Sequence, residues 1–408
     1  MAELRPVAPP ERVAVLDVIR GWALFGVMVA NVHEVISGRR YGPQPADTAT
    51  LDVIATRFIE IVISGKSITL LTFLFGLGFA LQLLRAGERG GDARGLYVRR
   101  LAVLFVIGAC HATFLWWGDV TWNYAAMGCA LLAFWRASGR ALLTWAMVLV
   151  VVPRLVMAVP AIGGTVRAAL PHPDATFNAQ MLAAVLGHDY PARMSAHLHQ
   201  VLYHVSSVGL WYFPWVIGRF LLGLYAGKRG LFDGDGAAHL PLFRRLLAWG
   251  LAFGIAGSVM NILRHSSVMA DVELLLPAQL GLVLLSELAM LGLAATYASA
   301  IVLLMQRPAA RRALLVLAPV GRMPLTTYLC QSVATTFVFY GWGLGLTGKV
   351  GSAGGLAITL AIFALQIAAS HLWLRRFRFG PAEWLWRTLV YRRLQPMRAV
   401  DVVEAVGP

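Results

Sequence analysis

The sequence predicts an all-α fold, a polytopic bundle of transmembrane helices, on three observations. The 408 residues are 58% hydrophobic and 13% charged, with a mean hydropathy of +0.68, too apolar for a soluble domain of this length. The apolar residues gather in runs of about 17 to 25, the length that crosses roughly 30 Å of hydrocarbon at 1.5 Å per residue. Lys and Arg fall in short clusters between the runs, so the net charge of +15 reads as a topology signal and not as a nucleic-acid footprint.

Taken in order, the runs lie near 13–33, 66–84, 98–117, 119–136, 141–161, 206–227, 243–264, 278–304, 314–341 and 354–374. About ten spans are therefore expected. Asp17 and Arg20 interrupt the first run and no small-x-small site ends it, so it is expected to stay in the mature protein. With the N-terminus in the cytoplasm, the inner connections hold Arg85, Arg89, Arg94, Arg99 and Arg100, then Arg136 and Arg140, then Lys228, Arg229, Arg244 and Arg245. Arg307, Arg311 and Arg312 follow, and finally Arg375, Arg376 and Arg378. This alternation obeys the positive-inside rule and predicts two cytoplasmic termini in a cell (plasma) membrane protein. Long outer connections are expected at about 34–65 and 162–205, the first with an apolar stretch, 52–64, that suits a re-entrant or interfacial helix. YGPQP (41–45) and PHPD (171–174) punctuate them. The chain thus divides into a five-span half (1–161), an outer connection (162–205) and a second five-span half (206–408).

The first helix is the most polar. At 100° per residue Asp17, Arg20 and Asn31 share one stripe, Glu34 lies at its edge, and His33 falls nearly opposite. Such a stripe belongs against the bundle interior or a wet cavity, because charge facing hydrocarbon costs several kcal/mol. Asp17 and Arg20 are spaced to pair at i,i+3 near the inner interface. Asn31 stands fourteen residues beyond Asp17, about 21 Å along the axis, where it either contacts a ligand or hydrogen-bonds a neighbouring helix.

Five motifs resemble a known family. LDVIRG (16–21), SGKSITLLTFLFGLGFAL (64–81), RRLAVLFVIGACHATFLWWGDVTWNYAAMG (99–128), GRMPLTTYLCQS (321–332) and GPAEWLWR (380–387) stand in the order and spacing of the YeiB-like membrane proteins. That family is similar to a transmembrane acyltransferase superfamily that includes the enzyme acetylating terminal glucosamine of heparan sulfate from cytosolic acetyl-CoA. The resemblance implies acyl-CoA, acetyl-CoA in the first instance, as donor, and a homodimer. It carries over to Asn31, which follows Arg20 by the family's eleven residues. The superfamily's catalytic His has no match, since Tyr41 and Gly42 stand there.

His111, mid-span in the third helix, is then the candidate base, against the plainer reading of a buried, hydrogen-bonded imidazole. Asp119 is placed to cap the fourth span, and Asn123 shares its face, so Asn31, Asp119 and Asn123 are candidates to line an outer mouth. Lys66 and Arg322 suit donor phosphates or lipid headgroups. Arg219 and Glu287 are expected to pair, with Arg154 a third ionisable group inside a span. Thr327, Gln331 and Thr335 form a polar stripe suited to interhelical hydrogen bonds. GPAEWLWR reads as an interfacial helix whose Glu383 reaches an inner Arg such as Arg20.

Other patterns carry no site. GLGLTGK (343–349) has Val350 where a phosphate-binding loop needs Ser or Thr, and no strand before it. His172, His188, His197, His199 and His204 repeat no metal-ligand spacing, so no metal is expected. Cys110, Cys129 and Cys330 lack CxxC pairing and are expected to be packing residues.

The function expected is transfer of an acyl group from cytosolic acyl-CoA to an outer-leaflet or extracellular acceptor. Arg20, Lys66 and Arg322 are expected to attract donor phosphates, and Asp17, Asp119 and Asn123 are further candidates for substrate or donor binding. Asn31 is expected to hold the acceptor or the reacting carbonyl, and His111 is the candidate base. The alternative is a non-enzymatic transporter binding lipid, quinone or another solute. Membrane lipids are the expected partners in either case.

Overall fold

The computed structural model describes residues 13–41, 49–88, 93–170, 175–264 and 274–398. Helices account for most of these residues, and the one isolated β-bridge among them joins Phe377 to Arg398. Hydrocarbon imposes this: with no water available, backbone N–H and C=O groups are satisfied inside the helix itself. The protein is an all-α polytopic membrane bundle. Among the described residues eight helices are long and apolar enough to cross a membrane, and up to nine if a bent pair counts as one span.

Helix α1 (Ala14–Asn31) continues into a π-helical turn, Val32–Ile36. Then α2 (Thr50–Phe58) and a second π-helical turn, Ile59–Ile63, lead into α3 (Lys66–Glu88), so the apolar 52–64 stretch is a helical extension of the second span. Helix α4 (Ala93–Phe114) is followed by two short helices, α5 (Thr121–Gly128) and α6 (Leu131–Phe134), where a single span over 119–136 is expected from sequence. Tyr97 Oη donates to the Gly128 carbonyl at 3.0 Å, which removes that acceptor from the helical ladder at the break.

Helix α7 (Gly139–Ala158) starts at Ser138, whose hydroxyl accepts from the Ala141 N–H. Helices α8 (Pro160–Ala169), α9 (Ala175–Leu186) and the 39-residue α10 (Tyr190–Lys228) follow. The stretch expected as an outer connection, 162–205, is therefore largely helical. Asp189 and Pro191 begin α10 well before residue 206, because the Asp189 carboxylate caps the Ala192 N–H. PHPD, with His172, lies outside the described residues, as does 42–45 of YGPQP.

Helices α11 (Leu240–Arg264) and α12 (Leu276–Met305) pack along their lengths. The last part comprises α13 (Pro308–Leu314), α14 (Ala318–Arg322), α15 (Pro324–Phe339), α16 (Ser352–Arg376) and α17 (Pro381–Tyr391). The expected span 314–341 is bent by 83° between α14 and α15. Pro324 accounts for the bend: it lacks an N–H and forces the residue before it out of the helical region, and Met323 sits at φ −128°, ψ 59°.

Two ends are distinguishable by their cross-links. At the basic end Lys228 Nζ donates to the carbonyls of Trp135 and Ala137 at 3.1 and 2.9 Å. There too Arg311 donates to Asp235 at 2.7 Å, and the other Asp235 oxygen accepts the Val15 N–H at 3.0 Å, capping α1 from 220 residues away. At the far end Tyr190 Oη donates to the Phe114 carbonyl at 2.8 Å and Gly341 N–H to Val185 at 2.9 Å. These links join the connections that the basic clusters assign to one side.

Close backbone approach fixes the helices around α1 and α3. A Cβ on Gly76 would meet the Phe220 carbonyl oxygen at 2.0 Å, and one on Gly321 would meet that of Asp17 at 1.8 Å. Only glycine allows these crossings. Gly78 has open space instead. The three cysteines, expected as packing residues, are exposed and so do not belong to the buried core.

Candidate functional site

The polar stripe of α1 meets two cavities. Near the helix start Arg20 donates to Asp17 at 2.6 Å, the i,i+3 pair its spacing predicts. Eleven residues on, Asn31 ends α1 and lines a cavity of about 250 Å³ at the far end. The same cavity is lined by Glu34, Trp116, Trp117, Asp119, Trp122, Asn123, His204 and Tyr212. His33 turns instead to a space of about 10 Å³ beside Ser37 and Arg39, room for no more than a water.

The second cavity, about 200 Å³, lies toward the basic end. Its walls are largely apolar, with Leu24, Leu71, Leu74, Phe75 and Leu104 joined by Arg20, Thr121, Tyr124, Tyr328 and Trp386. Val120 lines both cavities, and its N–H donates to Tyr328 Oη at 3.3 Å.

Beside this partition stands a carboxylate–imidazole pair. His111 Nδ1 lies 2.7 Å from Asp119 Oδ2, and both side chains are buried. A carboxylate only accepts, so the ring nitrogen is the donor. Asp119 Oδ1 takes the N–H groups of Thr121 and Trp122 at 2.6 and 3.0 Å, the cap its place before α5 predicts. The pair is thus rigid at its carboxylate end. At the other end His111 Nε2 is buried with no hydrogen-bond partner among the described residues, and the ring packs 5.5 Å from that of Tyr328. Asp119 faces the outer cavity, whereas His111 lines neither cavity.

Asn123 donates weakly to the Asp119 carbonyl, at 3.4 Å, and its side-chain oxygen has no partner among the described residues. Asn31, Asp119 and Asn123 therefore come together as their spacing predicts. Glu34, His204 and Tyr212 join them. His204 stands on α10, and its place in the cavity could not be read from a stretch expected to be an outer connection.

The cations expected on the donor side do not form one group. Lys66 is buried at the start of α3 and donates to the Glu60 carbonyl at 2.6 Å, away from the basic end. Arg322 is exposed at the end of α14, where Gly321 abuts Asp17 and Pro324 enters the wall of the inner cavity. Arg20 and Arg322 share that neighbourhood and Lys66 does not. Tyr41, which stands where the superfamily resemblance expects a catalytic His, is buried and accepts from Trp117 Nε1 at 2.5 Å. Burial also pushes its phenol well above the usual range.

Two charged features support the site from outside. Arg219 is fully buried and donates to Glu287 at 2.8 Å and to Thr69 at 3.1 Å, while Arg154 reaches the other Glu287 oxygen at 3.0 Å. The expected Arg219–Glu287 pair is present and is a triad. Glu383 does not reach Arg20: it accepts the N–H groups of Leu325 and Thr326 at 2.6 and 3.1 Å and the Thr326 hydroxyl at 2.5 Å. These N–H groups are orphaned at the start of α15 by the break at Pro324, which is why the carboxylate goes there.

The chain is 33% identical to "Uncharacterized protein YxaH" of Bacillus subtilis, across 97% of this chain and 98% of that protein. It belongs to the YeiB-like family. YeiB of Escherichia coli, also described as uncharacterized, is 27% identical over 95% of this chain and 98% of its own length. A family model, "Protein of unknown function (DUF418)", matches residues 226–393. No solved structure matches. Within this YeiB-like chain the inner cavity draws on the matched region, through Tyr328 and Trp386, as well as on the segments before it, whereas every residue lining the outer cavity precedes that region.

Proposed function

We propose that the protein is a plasma-membrane acyltransferase that takes an acyl group from cytosolic acyl-CoA and passes it to an acceptor in the outer leaflet or outside. The observation that carries this reading is the His111–Asp119 pair beside the wall between two cavities, one bearing several polar and charged side chains and one almost wholly apolar. The thioester end of the donor enters the inner cavity, with Arg20 and Arg322 near its mouth to attract the phosphates. The acceptor occupies the outer cavity against Asn31 and Asn123.

In the transfer an acceptor hydroxyl or amine attacks the thioester carbonyl carbon, forming a C–O or C–N bond while the C–S bond breaks. The acceptor's proton passes to the Asp119 carboxylate, which faces the outer cavity and is held from behind by His111 Nδ1–H, and then to the leaving sulfur, giving free CoA. Asn31 holds the acceptor or the carbonyl oxygen as charge develops on it.

The test is direct. Purified protein given acetyl-CoA and a native membrane-lipid extract releases CoA, and the Asn31→Ala protein releases it at least tenfold more slowly. Equal release by both proteins counts against the proposal.

A second reading, a transporter for a lipid, quinone or other solute, draws on the Leu- and Phe-lined inner cavity. Under it, one long-tailed molecule co-purifies with the protein in fixed stoichiometry and no CoA is released.

A further inference from the structure

The triad of Arg154, Glu287 and Arg219 holds two guanidinium groups and one carboxylate inside membrane-spanning helices. Its net charge is one positive. An uncompensated charge of this kind is expensive in hydrocarbon and calls for a counter-anion.

The two cations use Glu287 differently. Arg219 is 0% exposed and spends its donors inward, on Glu287, Thr69 and the Trp215 carbonyl. Arg154 has a side chain 34% exposed and touches Glu287 through Nε alone. Its two terminal nitrogens have no partner among the described residues. They form the part of the guanidinium fork that matches two oxygens of one phosphate.

Position decides which anion. Arg154 stands four residues before the far end of α7, about 6 Å along the axis, within reach of a headgroup for so long a side chain. On its own face of α7 the exposed apolar Met147 lies two turns deeper, and the exposed Leu284 and Leu288 lie within one turn of Glu287 on α12, a surface suited to acyl chains. A lipid sets its phosphate above such a surface, and a soluble anion gains nothing from it.

We propose that Arg154 is the headgroup site for one anionic phospholipid in the leaflet at the far end of the bundle. The phosphodiester takes the terminal guanidinium nitrogens, and its single charge neutralises the triad. A zwitterionic lipid brings no net charge, so the site discriminates between the two classes.

The probe is native mass spectrometry of the full chain released from bilayers of equal phosphatidylglycerol and phosphatidylcholine. One charge near the surface is worth roughly fivefold in affinity, so the wild type retains one phosphatidylglycerol more than Arg154→Gln does, with a preference of about fivefold at that site. Arg154→Lys, which keeps the charge and loses the fork, retains the lipid more weakly. Arg378→Gln, at the basic end, loses none of the difference that Arg154 makes. Each ratio is read within one variant, so partial unfolding cancels. Equal retention of both lipids by the wild type, or an unchanged phosphatidylglycerol count in Arg154→Gln, overturns the proposal. So does displacement of the lipid by millimolar inorganic phosphate, which would make this a free-anion site.

Discussion

The outer and inner cavities flank the same helix and share Val120, yet they are built from different parts of the chain. The outer one is made where helices end: Asn31 closes α1, and Trp116 to Asn123 is the joint between α4 and α5. The inner one is made from the sides of helices, with Leu24, Leu71, Leu74 and Leu104 projecting from three of them. Helix ends leave backbone groups that polar side chains and water must satisfy, so polar residues accumulate there. Helix sides are already satisfied and accept Leu and Phe. The polarity of each cavity thus follows from which part of a helix forms it, and the His111–Asp119 pair sits beside Val120, which both cavities share.

That contrast can be broken by substitution. Asp119→Asn removes the carboxylate that faces the acceptor and pairs with His111, and is expected to lower acyl transfer on the order of 10⁴-fold, the scale seen when a carboxylate–imidazole pair loses its carboxylate. CoA release at saturating acceptor measures it, and a loss below tenfold would place the chemistry elsewhere. Glu287→Gln leaves two guanidinium groups with no carboxylate, and the cost is about 3 to 5 kcal/mol of stability, read as a lower thermal midpoint in detergent. Because Trp215 also donates to Glu287 and stacks on Tyr212 of the outer wall, the outer cavity should lose ligand before the inner one does.

Asn31→Ala and Arg20→Gln separate the two cavities by kinetics. Asn31→Ala should lower kcat about 10- to 100-fold through the acceptor side, consistent with loss of one positioned hydrogen bond. Arg20→Gln should raise the donor KM about tenfold with a smaller change in kcat. The reverse pattern would exchange the roles of the cavities.

The smallest effect concerns Glu383. Burial pushes its carboxyl above the usual range, against the hydrogen bonds from Thr326 and Leu325 that lower it. A raised carboxyl makes its stability contribution fully below the unfolded pKa, and that contribution falls as pH rises through the raised value. The stability advantage of wild type over Glu383→Gln should therefore be largest in acid and shrink toward neutral pH. Thermal midpoints of both proteins across that range check the sign.

The membrane class and the polar stripe of α1 are legible because each rests on spacing within a run of sequence, and the basic end because its clusters recur at every second connection. Asp17–Arg20 and the Asp119 cap are also local, three residues or fewer apart in their contacts. The breaks at Gly128 and Met323 were harder, since hydropathy averages over a short interruption and Tyr97 acts from 31 residues away. His204 and Tyr328 reach the cavities only because α10 and α15 pack where they do, and nothing local marks them. Glu383 illustrates the same limit: its motif reads as an interfacial helix reaching an inner Arg, but the partner is set by orphaned N–H groups that exist only once Pro324 has bent the chain.

In the proposed reaction an acyl group crosses from the basic end to the far end past Asp119 and its partner His111. Proteoliposomes of known protein orientation, with acyl-labelled CoA supplied only on the side of the basic end, test it most directly. Wild type is expected to place label in lipid or soluble acceptor on the opposite side, and Asp119→Asn none above background. Label retained on CoA by the wild type, or moved equally by both proteins, would contradict it.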